Sequence, residues 1–499
     1  MKGIIAAGDR LTAEAGIEIL KKGGNAFDAV VAAVFASYMA EPALTSPAGG
    51  GFLLAVETDK EPVVYDFFVD VPPYREENPD FFKITVDFGD ALQDFHIGCG
   101  AVAVPGNVAG LLRVHKEKGK LPLKEVLRPA IRYATEGIKL SPLQASFVKL
   151  LSPIFTATED SRKIFAPDGK LIDERTIFRN PQYGEFLKLI EEKGQWAFYE
   201  GEIADRIDEL SVKHHGHIRK EDLERYKVVE REPLKFDFKG FKVLTNPPPF
   251  PGGILIAFTL KLLENEDLDC FGSKRHLLKL IKSMEETQKF REVFVDEGIS
   301  GDFYKFLRED FLSGYRENLN RFGNTTHISV IDGDGNAASI TTTNGEGSGY
   351  IIPETGVILN NMLGEEDLNP KGFFKWPPYV RLPSMMSPTV VLEDGEPRLV
   401  LGSAGSNRIR SAIVNVILNC IVFGLDIKEA VKSPRVHYEK GTVFVEPGFE
   451  AKVIGKLKEI YPELVEFSSL NLFFGGVQAV NSKFEGAGDP RRGGVVLRV

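Results

Sequence analysis

The chain opens on helical stripes of apolar residues and moves later to short β-like runs. Between Asp9 and Lys22, Leu11, Ala15 and Ile19 recur at helical spacing and Gly23-Gly24 comes next as a stop signal, predicting an amphipathic helix. Asn25 starts a second helix that is apolar nearly all round, the pattern of a helix buried on every side. Strands are expected at residues 52–56, after Gly49-Gly50-Gly51, and at 63–68, before Pro72-Pro73. Residues 108–239 read as largely helical, including 109–117, 123–136 and 182–193. A strand at 241–244 leads through a proline-rich loop into helices at 254–263 and 275–297. The charged stretch 302–322, punctuated by Gly and Asn, reads as an exposed approach to a hairpin.

That hairpin is the centre of the chain. Residues 325–331 and 337–343 are two β-runs rich in Ile, Val and Thr, joined by the turn residues Asp332-Gly333-Asp334-Gly335-Asn336. A five-residue loop pairs Ile331 with Ala337 and so places Thr325 opposite Thr343; a slip of one residue would bring Asn344 there instead. Alternation turns Thr326 to the other face and puts His327 on the face of Thr325. Beyond the hairpin come expected strands at 356–359, 388–392 and 398–401, then Gly402-Ser403-Ala404-Gly405-Ser406 leading into a helix at 409–422. The pattern supports a fold of class α+β, with sheets and helices in both halves.

Composition removes several function classes. The net charge of −10 supplies no basic field for nucleic acid or an anionic membrane. Three widely spaced cysteines and eight histidines form no metal-ligand pattern, so neither a metal nor a cofactor is expected. The triple glycine lacks the Lys-Ser/Thr of a phosphate loop and enters a strand. The first residues carry no hydrophobic core before Asp9 and Arg10, and residues 29–40 are short for a membrane span. The reading is a cytoplasmic protein.

Thr325-Thr326-His327, the Asp-Gly-Asn turn, Gly347-Ser348-Gly349, the run from Gly356 to Asn360-Asn361, and Asp489-Pro490-Arg491-Arg492 resemble the γ-glutamyltranspeptidase (glutathione hydrolase) family. Gly24-Asn25-Ala26-Phe27-Asp28-Ala29, Gly49-Gly50-Gly51-Phe52 and Val102-Ala103-Val104-Pro105-Gly106 add landmarks, so the resemblance spans essentially the whole chain. It implies a four-layer αββα sandwich of the N-terminal nucleophile hydrolase type: one domain made of two intertwined segments, 1–324 and 325–499. These would be produced by self-cleavage between Asn324 and Thr325 and would stay associated, with a homo-oligomer also possible. Cleavage gives Thr325 a free α-amine with a reference pKa of about 7.7–8.0, so one residue supplies nucleophile and base. His327 is then not needed as a base and reads as structural.

The resemblance further implies a hydrogen bond from Thr343 to the nucleophile, which the hairpin register independently favours over Thr342. It assigns oxyanion donors to the backbone of Gly405 and Ser406, ahead of a helix where N–H groups are unpaired. Substrate contacts fall to Asn344, Glu365 and Ser384. The implied activity is cleavage of γ-glutamyl amides through an acyl-enzyme; the partner is a small-molecule or peptide amide. Three departures bear on the acyl donor. Phe68 stands where the family has a carboxylate-binding Arg, Ser384-Met385 replaces a serine pair, and Gly364-Glu365 replaces an acidic pair. They admit an alternative, an amidase for glutaryl-like or other acyl amides, with Arg75 or Arg381 as replacements for the missing Arg. The stretch 364–381, with Phe373, Phe374 and Trp376, is shorter than the lid loop of typical bacterial members and predicts a more open site. A serine hydrolase on Ser403 or Ser406 is disfavoured because G-x-S-x-G spacing is absent.

Overall fold

A computed structural model of the protein describes residues 3–87, 92–291, 325–369 and 371–499. Asn324, the approach segment 302–322 and the end of the helix expected at 275–297 lie outside the described residues. Strand β1 (Gly3–Ala7) is followed by helices α1 (Arg10–Lys21) and α2 (Ala26–Ala40), strands β2 (Gly50–Val56) and β3 (Val63–Phe67), and the hairpin of β4 (Phe82–Asp87) and β5 (Leu92–Ile97). After a run of helices between residues 107 and 225 come β6 (Val229–Arg231), β7 (Leu234–Phe238), β8 (Phe241–Thr245), α3 (Pro251–Leu263) and α4 (Lys274–Phe290). The last part supplies β9 (Thr326–Asp332), β10 (Ala337–Thr343), β11 (Thr389–Glu393), β12 (Glu396–Ala404), α5 (Arg408–Ile417), β13 (Gly476–Val480), β14 (Gly486–Ala487) and β15 (Val495–Arg498).

Two sheets result. One has the order β15-β1-β9-β10-β2-β3-β6 and the other β14-β13-β12-β11-β8-β7. Strand alternation splits the core in two. Ile5, Ala7, Leu53, Ala55, Ile328, Val330 and Ile340 face α1 and α2, while Ile4, Ala6, Phe52, Leu54 and Ile331 face the second sheet and the helices behind it. The second sheet is covered in turn by α3, α4 and α5, giving the four αββα layers. Polar residues tie the sheets together: Ser329 Oγ donates to the Gln478 carbonyl at 3.0 Å and Ser339 Oγ to that of Leu401 at 3.0 Å. Among the described residues no helix is long and apolar enough to cross a membrane.

The strands at 229–238 correct the expectation of a largely helical stretch from 108 to 239: Leu234, Phe236 and Phe238 alternate with polar residues, a period of two. Helix α2 is buried along its whole length, as its all-round apolar pattern requires, and starts on a capping box of Asn25 and Asp28. Asp332 of the hairpin turn accepts a bond from Ala26 N–H at the start of that helix at 2.9 Å. The turn is thereby anchored to an N-terminal helix end, where a carboxylate is favoured.

The Gly49-Gly50-Gly51 run serves packing. A Cβ on Gly49 would lie 2.1 Å from the Thr343 carbonyl oxygen, one on Gly50 3.0 Å from Phe68 Cα, and one on Gly51 2.6 Å from the Thr341 carbonyl. The strand beside the hairpin therefore has to be made of glycine at that end.

Candidate active site

Strands β9 and β10 pair from Ile331↔Ala337 to Thr326↔Thr342, the register the turn length predicts. Continuing that register by one step sets Thr325 opposite Thr343, just beyond the last paired residues. Thr325 and Thr343 are both buried, at 5% and 7% exposure, so the pair sits in a nearly dry recess. The alternate threonines are committed to the opposite face. Thr326 Oγ1 donates to Glu41 at 2.8 Å, and the Thr342 and Thr45 hydroxyls lie 3.0 Å apart. Thr342 is thereby removed as a partner for Thr325.

His327 shares the Thr325 face and is enclosed. Its Nδ1 lies 2.8 Å from Thr341 Oγ1 and its Nε2 3.0 Å from Ser329 Oγ. A Cβ on Gly402 would fall 2.2 Å from the ring, so the second sheet packs directly on the imidazole. Burial lowers its pKa to about 3. A histidine with a folded pKa below its unfolded value stabilises fully above the unfolded pKa of about 6.5, and that stability is lost as pH falls toward the folded one. Unfolding free energy is therefore expected to decline below pH 6.5 by about 1.4 kcal/mol per pH unit for this group. His327→Asn should reduce the number of protons taken up on unfolding by one, as read from denaturant titrations at pH 4, 5 and 6. An unchanged slope would refute the assignment.

Strand β12 ends at Ala404, and the chain turns into α5 through Gly405 at φ +120° and Ser406 at φ +51°. Gly405 and Ser406 carbonyls accept from Arg408 and Ile409 at 3.1 and 3.0 Å, whereas their own N–H groups make no hydrogen bond within the described residues. Two adjacent free donors at the start of a helix form a natural anion cradle. The Ser406 hydroxyl is used otherwise, donating to the Asp367 carboxylate, so only its backbone is available.

Asp367 leads to the third part of the site. Gly345 N–H donates to Thr343 Oγ1 at 3.0 Å, and a Cβ on Gly345 would come 2.3 Å from Glu365 Oε1. Thr343, Gly345, Glu365, Asp367 and Ser406 are thus successive neighbours, hydrogen-bonded at the two ends of the row. Glu365 is half-buried with its Oε1 enclosed, and burial, then Glu346, then Asp367 push its pKa well up. Its Oε1 has no partner among the described residues. Asn344 is 1% exposed, and neither its Oδ1 nor its Nδ2 finds a partner there. Asn361 braces the wall: its Oδ1 accepts from Glu346 and Gly347 N–H at 2.9 and 3.2 Å. Sequence reasoning named Asn344 and Glu365 but missed Glu346, Asn361 and Asp367. Two acids each two residues beyond a named site residue were the available signal.

Ser384 is not brought into this line. Its Oγ accepts from Met386 N–H at 3.1 Å, a local turn bond. Phe68 is buried in the intersheet core, stacked on Phe52 at 5.4 Å between ring centres. The two candidate replacement arginines are both occupied. Arg381 pairs with Asp70 at 2.8 Å and Asp66 at 3.2 Å, and Arg75 donates to the carbonyls of Pro72 and Trp376 at 2.6 and 3.2 Å. The ring contacts of Phe373 and Phe374 are with Phe81, His96 and His217, beside the β4–β5 hairpin, and Trp376 Nε1 donates to the Leu368 carbonyl.

The four-layer αββα frame, with threonines at the end of its central hairpin and a glycine-bearing loop ahead of α5, is that of the N-terminal nucleophile hydrolases. The chain belongs to the gamma-glutamyltranspeptidase family, whose family model matches residues 12–499. It is 30% identical to the glutathione hydrolase proenzyme of Escherichia coli (strain K12), over 98% of this chain and 90% of that protein. It is 31% identical to the capsule biosynthesis protein CapD proenzyme of Bacillus anthracis, over 98% and 89%. The structure of cephalosporin acylase from Bacillus halodurans superposes with a TM-score of 0.81 at 25% identity, covering 99% of this chain and 95% of that one.

Proposed function

We propose that this family member cuts itself between Asn324 and Thr325 and then hydrolyses γ-glutamyl amides, or transfers their acyl group, through an ester on Thr325. The observation that carries this reading is the row of neighbouring groups from Thr343 through Glu365 to Ser406, which sets the threonines, the acidic pocket and the anion cradle side by side. In the first step the Thr325 hydroxyl attacks the substrate carbonyl carbon while the new α-amine takes its proton. The Gly405 and Ser406 N–H groups hold the oxyanion, the C–N bond breaks, and the amine leaves with the proton. Water or a second amine then attacks the ester by the reverse route. Thr343 holds the Thr325 hydroxyl in register.

Glu365, with Glu346 and Asp367 around it and Asn344 beside it, suits a cationic amine on the acyl group. Among the described residues these three carboxylates are not arranged to hold a metal ion. An arriving ammonium would draw Glu365 into its ionised form, because an opposite charge favours ionisation. A glutaryl donor brings the same carboxylate without the ammonium, so nothing offsets its repulsion by the acidic pocket, which weighs against glutaryl donors although Phe68 stands where the family has its carboxylate-binding Arg. The segments 1–324 and 325–499 are interleaved in one sheet, β1 lying between β15 and β9, so the fragments should hold together after the cut.

The test is a comparison of γ-glutamyl, glutaryl and butyryl anilides. The γ-glutamyl compound is expected to have a kcat/KM at least tenfold above the glutaryl one, since a hydrogen bond to a charged group contributes about 1.5–3 kcal/mol. Glu365→Gln should shrink that ratio. Glutaryl cleavage equal to or faster than γ-glutamyl cleavage would favour the acylase alternative.

A further inference from the structure

On the face of the hairpin turned away from Thr325, the segment that leaves α2 grips both strands at their last cross-strand pair. Glu41, the C-cap of α2, is buried. Its Oε2 accepts from Thr326 Oγ1 of β9 at 2.8 Å and its Oε1 from Thr12 Oγ1 of α1 at 2.7 Å, so both partners are hydroxyls and neither is a cation. Four residues on, the hydroxyls of Thr45 and of Thr342 in β10 lie 3.0 Å apart. Thr326 and Thr342 are partners across the hairpin. One short stretch of chain, 41–45, therefore holds the two residues that immediately adjoin Thr325 and Thr343. The backbone after β1 closes the remaining side: a Cβ on Gly8 would lie 2.7 Å from Glu41 Oε2 and 3.2 Å from Thr326 Oγ1.

An ionised carboxylate accepts on both oxygens, which suits two donating threonines. A protonated one carries a donor, so one of the two hydroxyls would have to turn round and accept. Two charged groups face this carboxyl: Asp9, buried at the N-cap of α1, and Arg492, whose Nη2 also lies 3.5 Å from where a Gly405 Cβ would be. Burial, then Asp9, raises the Glu41 carboxyl to about 7, against the lowering effect of the two hydroxyls and Arg492. Its charge therefore changes near neutral pH, and with it the hold on Thr326. Thr325 lies past the last paired residue, so its place is set by the residue that follows it. A shift of about 1 Å at a reacting group costs on the order of 10²-fold in rate.

We infer that Glu41 is a positioning residue for the nucleophile: its carboxylate fixes Thr326 and so aligns the Thr325 hydroxyl for self-cleavage and for turnover. This rests on the self-cleaving amidohydrolase reading and adds what holds Thr325 before its α-amine exists. In self-cleavage Thr325 Oγ bonds to the Asn324 carbonyl carbon, the C–N bond breaks, and the hydroxyl proton ends on the Thr325 nitrogen. Water then splits the resulting ester and leaves a carboxylate on Asn324. Glu41 exchanges no proton with these atoms and acts through Thr326.

The test follows self-cleavage of the freshly translated full-length chain on denaturing gels, from about pH 5.5 to about pH 8.5, a range that brackets the Glu41 ionisation. No α-amine is present in that step, so its titration cannot imitate that of Glu41. The wild-type rate is expected to level off above about pH 7 and to fall by up to about tenfold per pH unit below it. Glu41→Gln and Thr326→Val should each lower the plateau about tenfold or more, and Glu41→Gln should also remove the fall at low pH. Thr12→Val deletes the other hydroxyl of the same buried trio. It should move the midpoint upward and leave the plateau near the wild-type rate, a split that a merely structural cluster would not produce. In processed enzyme Glu41→Gln should lower kcat on a γ-glutamyl anilide with KM little changed. A wild-type rate that is flat across the range overturns the inference even if no variant folds; so do Thr12→Val and Thr326→Val chains that are slowed equally. A wild-type chain that stays whole sinks the self-cleavage reading and this inference together. Cutting at Thr325 that Glu41→Gln leaves unchanged in rate and pH dependence sinks this inference alone.

Discussion

Thr325→Ala is expected to migrate as a single full-length chain on a denaturing gel and to have lost essentially all amidase activity. The wild type should give two pieces, residues 1–324 and 325–499. In the proposed mechanism Thr325 Oγ is the attacking atom both in chain cleavage and in turnover, and the α-amine that serves as base exists only after cleavage. Removing the hydroxyl therefore takes away nucleophile and base together. Losing one member of such a unit costs on the order of 10⁴–10⁶ in kcat. Thr325→Ser keeps an oxygen at the same place and should retain both processing and measurable activity. N-terminal sequencing of the light fragment must return Thr325 first; any other residue would undo the proposal, as would an intact wild-type chain that hydrolyses the anilide.

The second large effect concerns stability. Asp489 accepts from Arg435 at 2.6 Å, from Arg491 at 3.2 Å, and from Val477 N–H at 2.8 Å, all in the buried interior. Burial opposes ionisation of its carboxyl, yet Arg435, Arg491 and the N–H donors hold the pKa below the usual value. Asp489→Ala leaves Arg435 without its anion and frees the N–H of Val477 at the head of β13. Breaking a buried pair by removing one partner costs about 3–5 kcal/mol. Urea unfolding should show that loss as a lower midpoint, with a largely unchanged slope. A loss below about 1 kcal/mol, the value of a surface pair, would show that the network is solvated in solution. Because Gly475, just ahead of β13, packs against Gly405 of the proposed oxyanion loop, activity is expected to fall alongside stability.

The expected features that hold are those written into local chemistry. The five-residue turn Asp332–Asn336 set the register of the hairpin, from Ile331↔Ala337 to Thr326↔Thr342. Period two separated Thr326 from Thr325 and assigned His327 its face. The apolar character of α2 all round announced burial on all sides. These need only neighbours in sequence, since strand alternation, turn length and helix period are properties of a few consecutive residues.

Other features depended on residues far apart. The sequence placed a carboxylate at Glu365 but could not show that Glu346 and Asp367 crowd it, because that requires the chain to fold back across Asn361. Ser384 matched a motif, yet its hydroxyl bonds two residues down its own chain. Arg75 and Arg381 were equal candidates in sequence; only packing showed one hooked to carbonyls and the other paired with Asp66 and Asp70. Strands β6 and β7 were lost in a helical stretch because short runs carry little periodicity.

By itself, then, the sequence determined the nucleophile hairpin, its register, the α+β class and the chemistry available to Thr325, all set by covalent neighbours and repeat geometry. The tertiary structure alone decided which buried charges are compensated and which are not. Desolvation and Coulomb interaction act through space, and residues as distant in the chain as Asp66 and Arg381, or Gly405 and Arg492, come within reach of each other only when the two sheets are packed.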